Sequence, residues 1–170
     1  MCSSDLREAM IDKRCAAMAQ ALAGIKDGST VLVGGFGAVG QPDALVEGLI
    51  EQGAKDLTVV ANNAGTGRVG IAKLMELGRV RRIVCSFPRS AGSVVFEELY
   101  KAGKIELEIV PQGTLAERLR AGGSGIPAFY TPAGVGTQVA EGGMPWRYAA
   151  DGSIAVPSPA KETREFDGRE

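Results

Sequence analysis

Thr30-Val31-Leu32-Val33-Gly34-Gly35-Phe36-Gly37-Ala38-Val39-Gly40-Gln41-Pro42 is the stretch on which the fold turns. Its first four residues form an apolar, β-branched run that reads as a short buried strand. Residues 42–51 read as a helix, with proline in the first turn where its missing N–H costs nothing. Strand, glycine loop and helix in that order bring backbone N–H groups and a helix N-terminus to a point where an anionic ligand can meet them.

The same unit recurs along the chain. A second strand at 57–61 runs into Asn62-Asn63-Ala64-Gly65-Thr66-Gly67, followed by a helix at 70–77. A third strand at 82–86 ends in Phe87-Pro88-Arg89-Ser90 and leads to a helix at 94–102. A fourth at 105–110 ends in Pro111-Gln112-Gly113 and leads to a helix at 114–121. Each crossover between parallel strands needs a helix, so this alternation predicts an α/β fold with an open, mostly parallel sheet flanked by helices. Ligands of such sheets bind beyond the carboxyl ends of the strands. Three polar loops converge there, at 34–40, 62–67 and 111–113.

Outside these units the reading is thinner. Residues 12–25 carry apolar residues at helical spacing, with Asp12 placed to cap the helix. Residues 1–9 show no pattern and are expected to be a disordered leader, which leaves 10–170 as one domain. From Gly122 onward glycine and proline break any long helix. Trp146-Arg147-Tyr148 and Ser153-Ile154-Ala155-Val156 flank Asp151-Gly152 as a hairpin, and the stretch from Arg164 to Gly168 reads as the start of another. The chain then stops without closing that unit, so a domain cut short at its C-terminus is expected.

Composition excludes several classes of function. The 170 residues are 45% hydrophobic and 23% charged with a net charge of −1, a globular balance without bias toward nucleic acid or membrane. No apolar run is long enough to span a bilayer, and a cytoplasmic protein is expected. Three cysteines, Cys2, Cys15 and Cys85, show no CxxC spacing, so neither a structural zinc site nor any other metal site is expected. There is no histidine. That removes Ser-His and Cys-His nucleophilic catalysis from this polypeptide. Chemistry here must use carboxylates, amides, backbone dipoles or groups from another chain.

Gly35-Phe36-Gly37-Ala38-Val39-Gly40 formally matches the GxGxxG dinucleotide fingerprint. An NAD(P)-binding oxidoreductase domain is therefore one reading. Against it, Pro42 starts the helix after the last glycine, and the second strand ends in Asn62-Asn63 where a ribose-binding acid belongs. A non-catalytic module for an acyl or phosphate ligand is another reading. A third leaves the glycines to a tight turn alone, although it gives no reason for the bulky Phe36 among them.

The stretch from Asp27 to Pro42 resembles the alpha-subunit signature of the family I coenzyme A transferases. The resemblance continues through Asn62-Asn63-Ala64-Gly65, Val110-Pro111-Gln112-Gly113-Thr114-Leu115-Ala116-Glu117-Arg118 and Ala121-Gly122-Gly123-Ser124-Gly125. It resumes at Thr131-Pro132-Ala133-Gly134-Val135-Gly136-Thr137 and from Lys161 to Gly168, and is strongest to the alpha subunits of the 3-oxoacid and 3-oxoadipate transferases. It implies a hetero-oligomer with a beta subunit that carries a nucleophilic glutamate. Coenzyme A would pass from succinyl-CoA to a 3-oxo acid through a glutamyl thioester, with no permanently bound cofactor, and this chain alone would be inactive. It further implies that Gly34, Gly35, Phe36, Gly37, Ala38, Val39 and Gly40 bind CoA, that Gln112 is an oxyanion donor, and that Asn62 and Asn63 contact substrate.

Other conspicuous residues have plainer readings. Cys85 lies in an apolar strand as a small hydrophobe. Arg79, Arg81 and Arg82 read as a solvated beginning of a strand, and Trp146 and Tyr148 as hairpin packing. Arg89, just past a strand's carboxyl end, is placed to meet a substrate carboxylate.

Overall fold

The β-branched runs pair side by side in chain order. A computed structural model describes residues 12–90 and 92–170, so the expected leader at 1–9 lies outside it. Helix α1 (Met18–Leu22) precedes strand β1 (Thr30–Leu32), helix α2 (Asp43–Gln52) and strand β2 (Leu57–Val60). Helix α3 (Gly70–Glu76), strand β3 (Val80–Cys85), helix α4 (Val94–Lys101) and strand β4 (Glu106–Ile109) follow, then helix α5 (Gln112–Gly123). The sheet order is β1-β2-β3-β4 and every pair is parallel, in a register that aligns Val31 with Val59, Val59 with Ile83, and Ile83 with Leu107.

Because that order never reverses, right-handed crossovers put α2, α3 and α4 on one face. The main core lies there: Leu57, Val59, Ile83 and Leu107 of the sheet meet Val46, Leu74, Met75 and Phe96 of the helices. On the other face α5 packs Leu115 against Val84 and Val110 with Val60 alongside. Leu32 of β1 is left 57% exposed on that side.

Most boundaries shift by a residue or two from the sequence reading, and three shifts have a local reason that matters here. Asp12 caps nothing, because its carboxylate accepts from the backbone N–H and the guanidinium of Arg14, and the helix is confined to Met18–Leu22. Strand β3 begins at Val80, so Arg82 is inside the sheet and not at a solvated beginning. Arg79 is tied down as well, donating to the Gly53 carbonyl at 2.7 Å. Finally, α5 begins at Gln112, two residues earlier than periodicity suggests, which puts Gln112 in its first turn.

Beyond α5 the chain forms a short helix α6 (Gln138–Glu141) and the hairpin of β5 (Pro145–Tyr148) and β6 (Ile154–Pro157). A single antiparallel bridge between Phe166 and Arg169 marks the second hairpin. The β5–β6 hairpin is fastened to the sheet by aromatic and ionic contacts. Trp146 lies under the Arg82 guanidinium, 4.2 Å from ring centroid to Cζ, and Tyr148 meets Tyr100 edge-on at 5.1 Å. The Tyr100 hydroxyl donates to the Pro145 carbonyl.

Glu108 sits at the centre of this fastening. Nearly buried on β4, it accepts from Arg82 of β3 and from Arg118 of α5 at 2.9 Å. Burial works against its charge, but the two guanidinium groups outweigh burial and hold the carboxyl below its ordinary value of 4.5. A lowered folded-state pKa means a contribution to stability that is complete above that ordinary value and lost as pH falls through the folded one. Chemical denaturation should show Glu108→Ala destabilised by about 2 kcal/mol at neutral pH. Glu108→Gln should flatten the loss of stability below pH ~4.5 that the parent chain shows. An unchanged acid limb in the glutamine variant would remove Glu108 from this role.

Candidate functional site

All four strands leave the sheet through one edge, and hydrogen bonds between the departing loops join them into a single surface. In the first loop Phe36 and Val39 exchange backbone hydrogen bonds of 2.9 and 3.1 Å, closing a tight turn. Its Gly37 carbonyl accepts from Gln41 Nε2 at 2.7 Å and from Asn63 Nδ2 at 3.1 Å. Gly35 has φ near +115°, and a Cβ there would stand 2.9 Å from the Gln41 side chain, so this position admits only glycine. Gly34 differs: its φ is ordinary and nothing lies within 4 Å of a Cβ built on it. The turn pushes Phe36 and Val39 outward, 74% and 78% exposed, making Phe36 an apolar tip above the loop.

The two asparagines at the end of β2 have different surroundings. Asn63 is buried; its Oδ1 accepts from the Gly65 N–H at 2.7 Å while its Nδ2 reaches Gly37. Asn63, expected beside Asn62 as a substrate contact, here ties the first two loops together. Asn62 is half-buried, and its Nδ2 donates to Gln112 Oε1 at 3.0 Å. Its backbone carbonyl accepts from the N–H groups of Ser86 and Phe87, tying in the third loop.

Gln112 is the meeting point. Besides Asn62, the Ser86 hydroxyl donates to the same Oε1 at 2.7 Å. Two donors on the amide oxygen fix the orientation of the group and leave Nε2, which has no acceptor among the described residues, to donate outward from an exposed position. The first turn of α5 adds its unpaired N–H groups on the same side. Ser86 was not singled out from the sequence. The usable signal was its place, a hydroxyl directly at the carboxyl end of a strand whose neighbours end in Asn62 and Gln112.

Charge follows the same division. Residues 33–42, 61–69, 86–93 and 110–113, which form this edge, contain no aspartate or glutamate. Their two cations are Arg68 and Arg89. Cys85, beneath the edge, is fully buried, and burial pushes its thiol up to about 12, so it is no nucleophile at neutral pH. A cavity of about 710 Å³ lies behind α5, bounded by Val110, Pro111, Thr114, Phe129, Val135 and Phe166, among others, and reaches the edge at Pro111. Among the described residues no three metal-ligating side chains are grouped to hold a metal ion, and no helix is long and apolar enough to cross a membrane.

An acid-free ledge of oriented amide and backbone donors on a parallel α/β sheet is suited to polarising a carbonyl. The family model for coenzyme A transferase matches residues 15–170, and the chain belongs to that family. It is 56% identical over 158 residues, or 93% of its length, to the A subunit of a probable succinyl-CoA:3-ketoacid coenzyme A transferase of Mycobacterium tuberculosis, covering 63% of that protein. It is 54% identical over 160 residues to the A subunit of the 3-oxoadipate CoA-transferase of Pseudomonas putida, covering 94% of this chain and 62% of that one. The chain therefore spans just under two thirds of the length of these relatives. An acyl-CoA transferase from Escherichia coli O157:H7, solved as a thioester complex with CoA, shares the fold over 90% of this chain and 30% of its own, with a TM-score of 0.66 and 23% identity. Family membership does not favour the oxidoreductase reading of the glycine loop.

The Asn63 brace has a measurable consequence. Asn63→Ala leaves the Gly65 N–H without its side-chain acceptor and the Gly37 carbonyl with Gln41 alone, and should lower stability by about 1–3 kcal/mol in urea unfolding. Amide exchange at Gly65 should accelerate with it. Wild-type stability and exchange in the variant would show that these loops hold together without Asn63.

Proposed function

We propose that this chain is the alpha subunit of a two-subunit CoA-transferase that moves CoA from succinyl-CoA to a 3-oxo acid. The observation that carries this reading is the orientation of Gln112. An amide whose oxygen is held by Asn62 and Ser86 offers its N–H₂ to a carbonyl oxygen that gains charge. The nucleophile is a glutamate of the partner subunit, in keeping with an edge that carries no carboxylate of its own. That carboxylate attacks the thioester carbonyl of succinyl-CoA, the C–S bond breaks, and the thiolate leaves. The thiolate then attacks the glutamyl carbonyl, releasing succinate and leaving a glutamyl thioester. The acceptor acid reverses both steps, takes the CoA and frees the glutamate. Each attack places negative charge on a carbonyl oxygen, and Gln112 Nε2 is the donor for it.

The remaining residues have graded parts in this reading. Gly34 to Gly40 form the CoA-binding loop, where bare backbone lets the thioester and pantetheine approach closely. Asn62 orients Gln112 and contacts substrate, and Asn63 acts by positioning the loop. The enzyme works in the cytoplasm as a hetero-oligomer.

In the assembled two-subunit enzyme, Gln112→Ala should lower kcat by ~10²-fold with little change in thermal stability. An unchanged rate would return Gln112 to a purely structural role. Gly34→Ala provides a separate test of the loop. The fold leaves room for its methyl group, so stability should hold while KM for succinyl-CoA rises; unaltered KM would place CoA elsewhere.

A further inference from the structure

We propose that Arg89 binds the distal carboxylate of a dicarboxylic substrate and so sets the preference of the enzyme for succinyl and 3-oxo-dicarboxylic acyl groups over monocarboxylic ones. The inference rests on the transferase reading and adds to it the part of the substrate away from the reacting carbonyl.

The two cations of the carboxyl edge are held very differently. Arg68 is tied to α3 and α4, pairing with Glu76 and, at 3.4 Å, with Glu98. Arg89 is 66% exposed on its side chain, and its Nε stands 4.0 Å from Glu97 Oε1, at the limit of an ion pair. Such a contact on the surface contributes little and is readily exchanged for a better one. Glu97 also has a second partner, since Lys101 one turn further along α4 is 3.5 Å from its other oxygen. Arg89 can therefore leave without stranding a carboxylate.

The backbone that carries Arg89 is anchored at both ends. Ser86 is bonded to Gln112, and Ser93 Oγ donates to the Gly65 carbonyl at 3.0 Å. The Gly92 carbonyl accepts from the Gly67 N–H at 2.8 Å. From Ser86 to Arg89 the chain can span at most ~11 Å, and the long arginine side chain can return across part of that distance. The edge loops themselves hold no acid, so the carboxylate a bound dicarboxylate must displace from Arg89 is Glu97 of α4, which Lys101 also neutralises. The planar fork of arginine suits a carboxylate, which it grips through two parallel hydrogen bonds.

The test uses the assembled two-subunit enzyme with Arg89→Gln and Arg89→Lys. Succinyl-CoA and 3-oxoadipate carry a second carboxylate; acetoacetyl-CoA and acetoacetate do not. For each variant kcat/KM is measured with both donors in the thioester-forming half-reaction and with both acceptors in the other. In Arg89→Gln the ratio of dicarboxylic to monocarboxylic kcat/KM should fall by about 10- to 100-fold, mainly through KM, and Arg89→Lys should recover part of it. A ratio left at its wild-type value, or equal losses with both kinds of substrate, overturns the proposal while leaving the transferase reading intact. A wild-type pair that forms no glutamyl thioester with either donor defeats the transferase reading, and this inference with it.

Discussion

Parallel strands can be left only through one edge, and in this chain that constraint shapes everything that follows. Four loops emerge side by side, and their backbone and side-chain polar groups have no choice but to satisfy one another or meet solvent. The Gly37 carbonyl, the Asn63 amide, the Asn62 carbonyl and the Ser86 hydroxyl do the former, stitching loop to loop in strand order. Because the strand order never reverses, there is no crevice of the kind that forms at a switch point in doubly wound sheets. The result is a ledge, open on one side. A ledge can position donors but cannot enclose a reacting centre, so water exclusion falls to whatever covers it.

What the ledge positions best is an amide. A glutamine in solution turns freely and presents oxygen or nitrogen indifferently, which makes it a poor stabiliser of an oxyanion. Here two donors from two other strand ends fix the oxygen. The entropy of orienting the group is lost on folding, before any substrate arrives, which is the condition under which a hydrogen-bond donor lowers a barrier. Asn62 and Ser86 contribute to that orientation without altering the ledge's charge, since both are neutral.

Much of this was legible in the sequence because it depends on local pattern. The four apolar runs, the helices between them and the polar loops at the strand ends all follow from periodicity and turn residues. The order of the loops along the edge follows from short parallel crossovers. What escaped depends on contacts between distant segments. Whether Asn62 or Asn63 faces out is decided by the turn at Gly65, where a φ near +80° swings the chain so that Asn63 bonds inward. The start of α5 at Gln112 owes nothing to its apolar spacing, which begins at Leu115. Arg82 reads as a surface charge until Glu108, 26 residues later, is seen to pair with it and Trp146 to lie against its guanidinium.

The glycines sharpen the last step. Gly35 and Gly65 are required by the fold itself: their backbones are left-handed, and a methyl group would strike Gln41 or the Ala72 backbone. Gly34 has neither constraint, and Gly113, in the first turn of α5, is equally open. Glycine inside a helix costs about 1 kcal/mol relative to alanine, so an unconstrained glycine there is a standing loss to the folded chain. Gly24, Gly122 and Gly123 are open in the same way, but Gly34 and Gly113 alone among these five border the donors of the ledge, one at the first loop and one beside Gln112. A bare backbone that folding does not demand, placed where the polar groups are oriented outward, is best explained by something that comes close from outside. In the reaction proposed for this site, whose own loops hold no carboxylate, that approach would bring the thioester from one side and the partner's glutamate from the other.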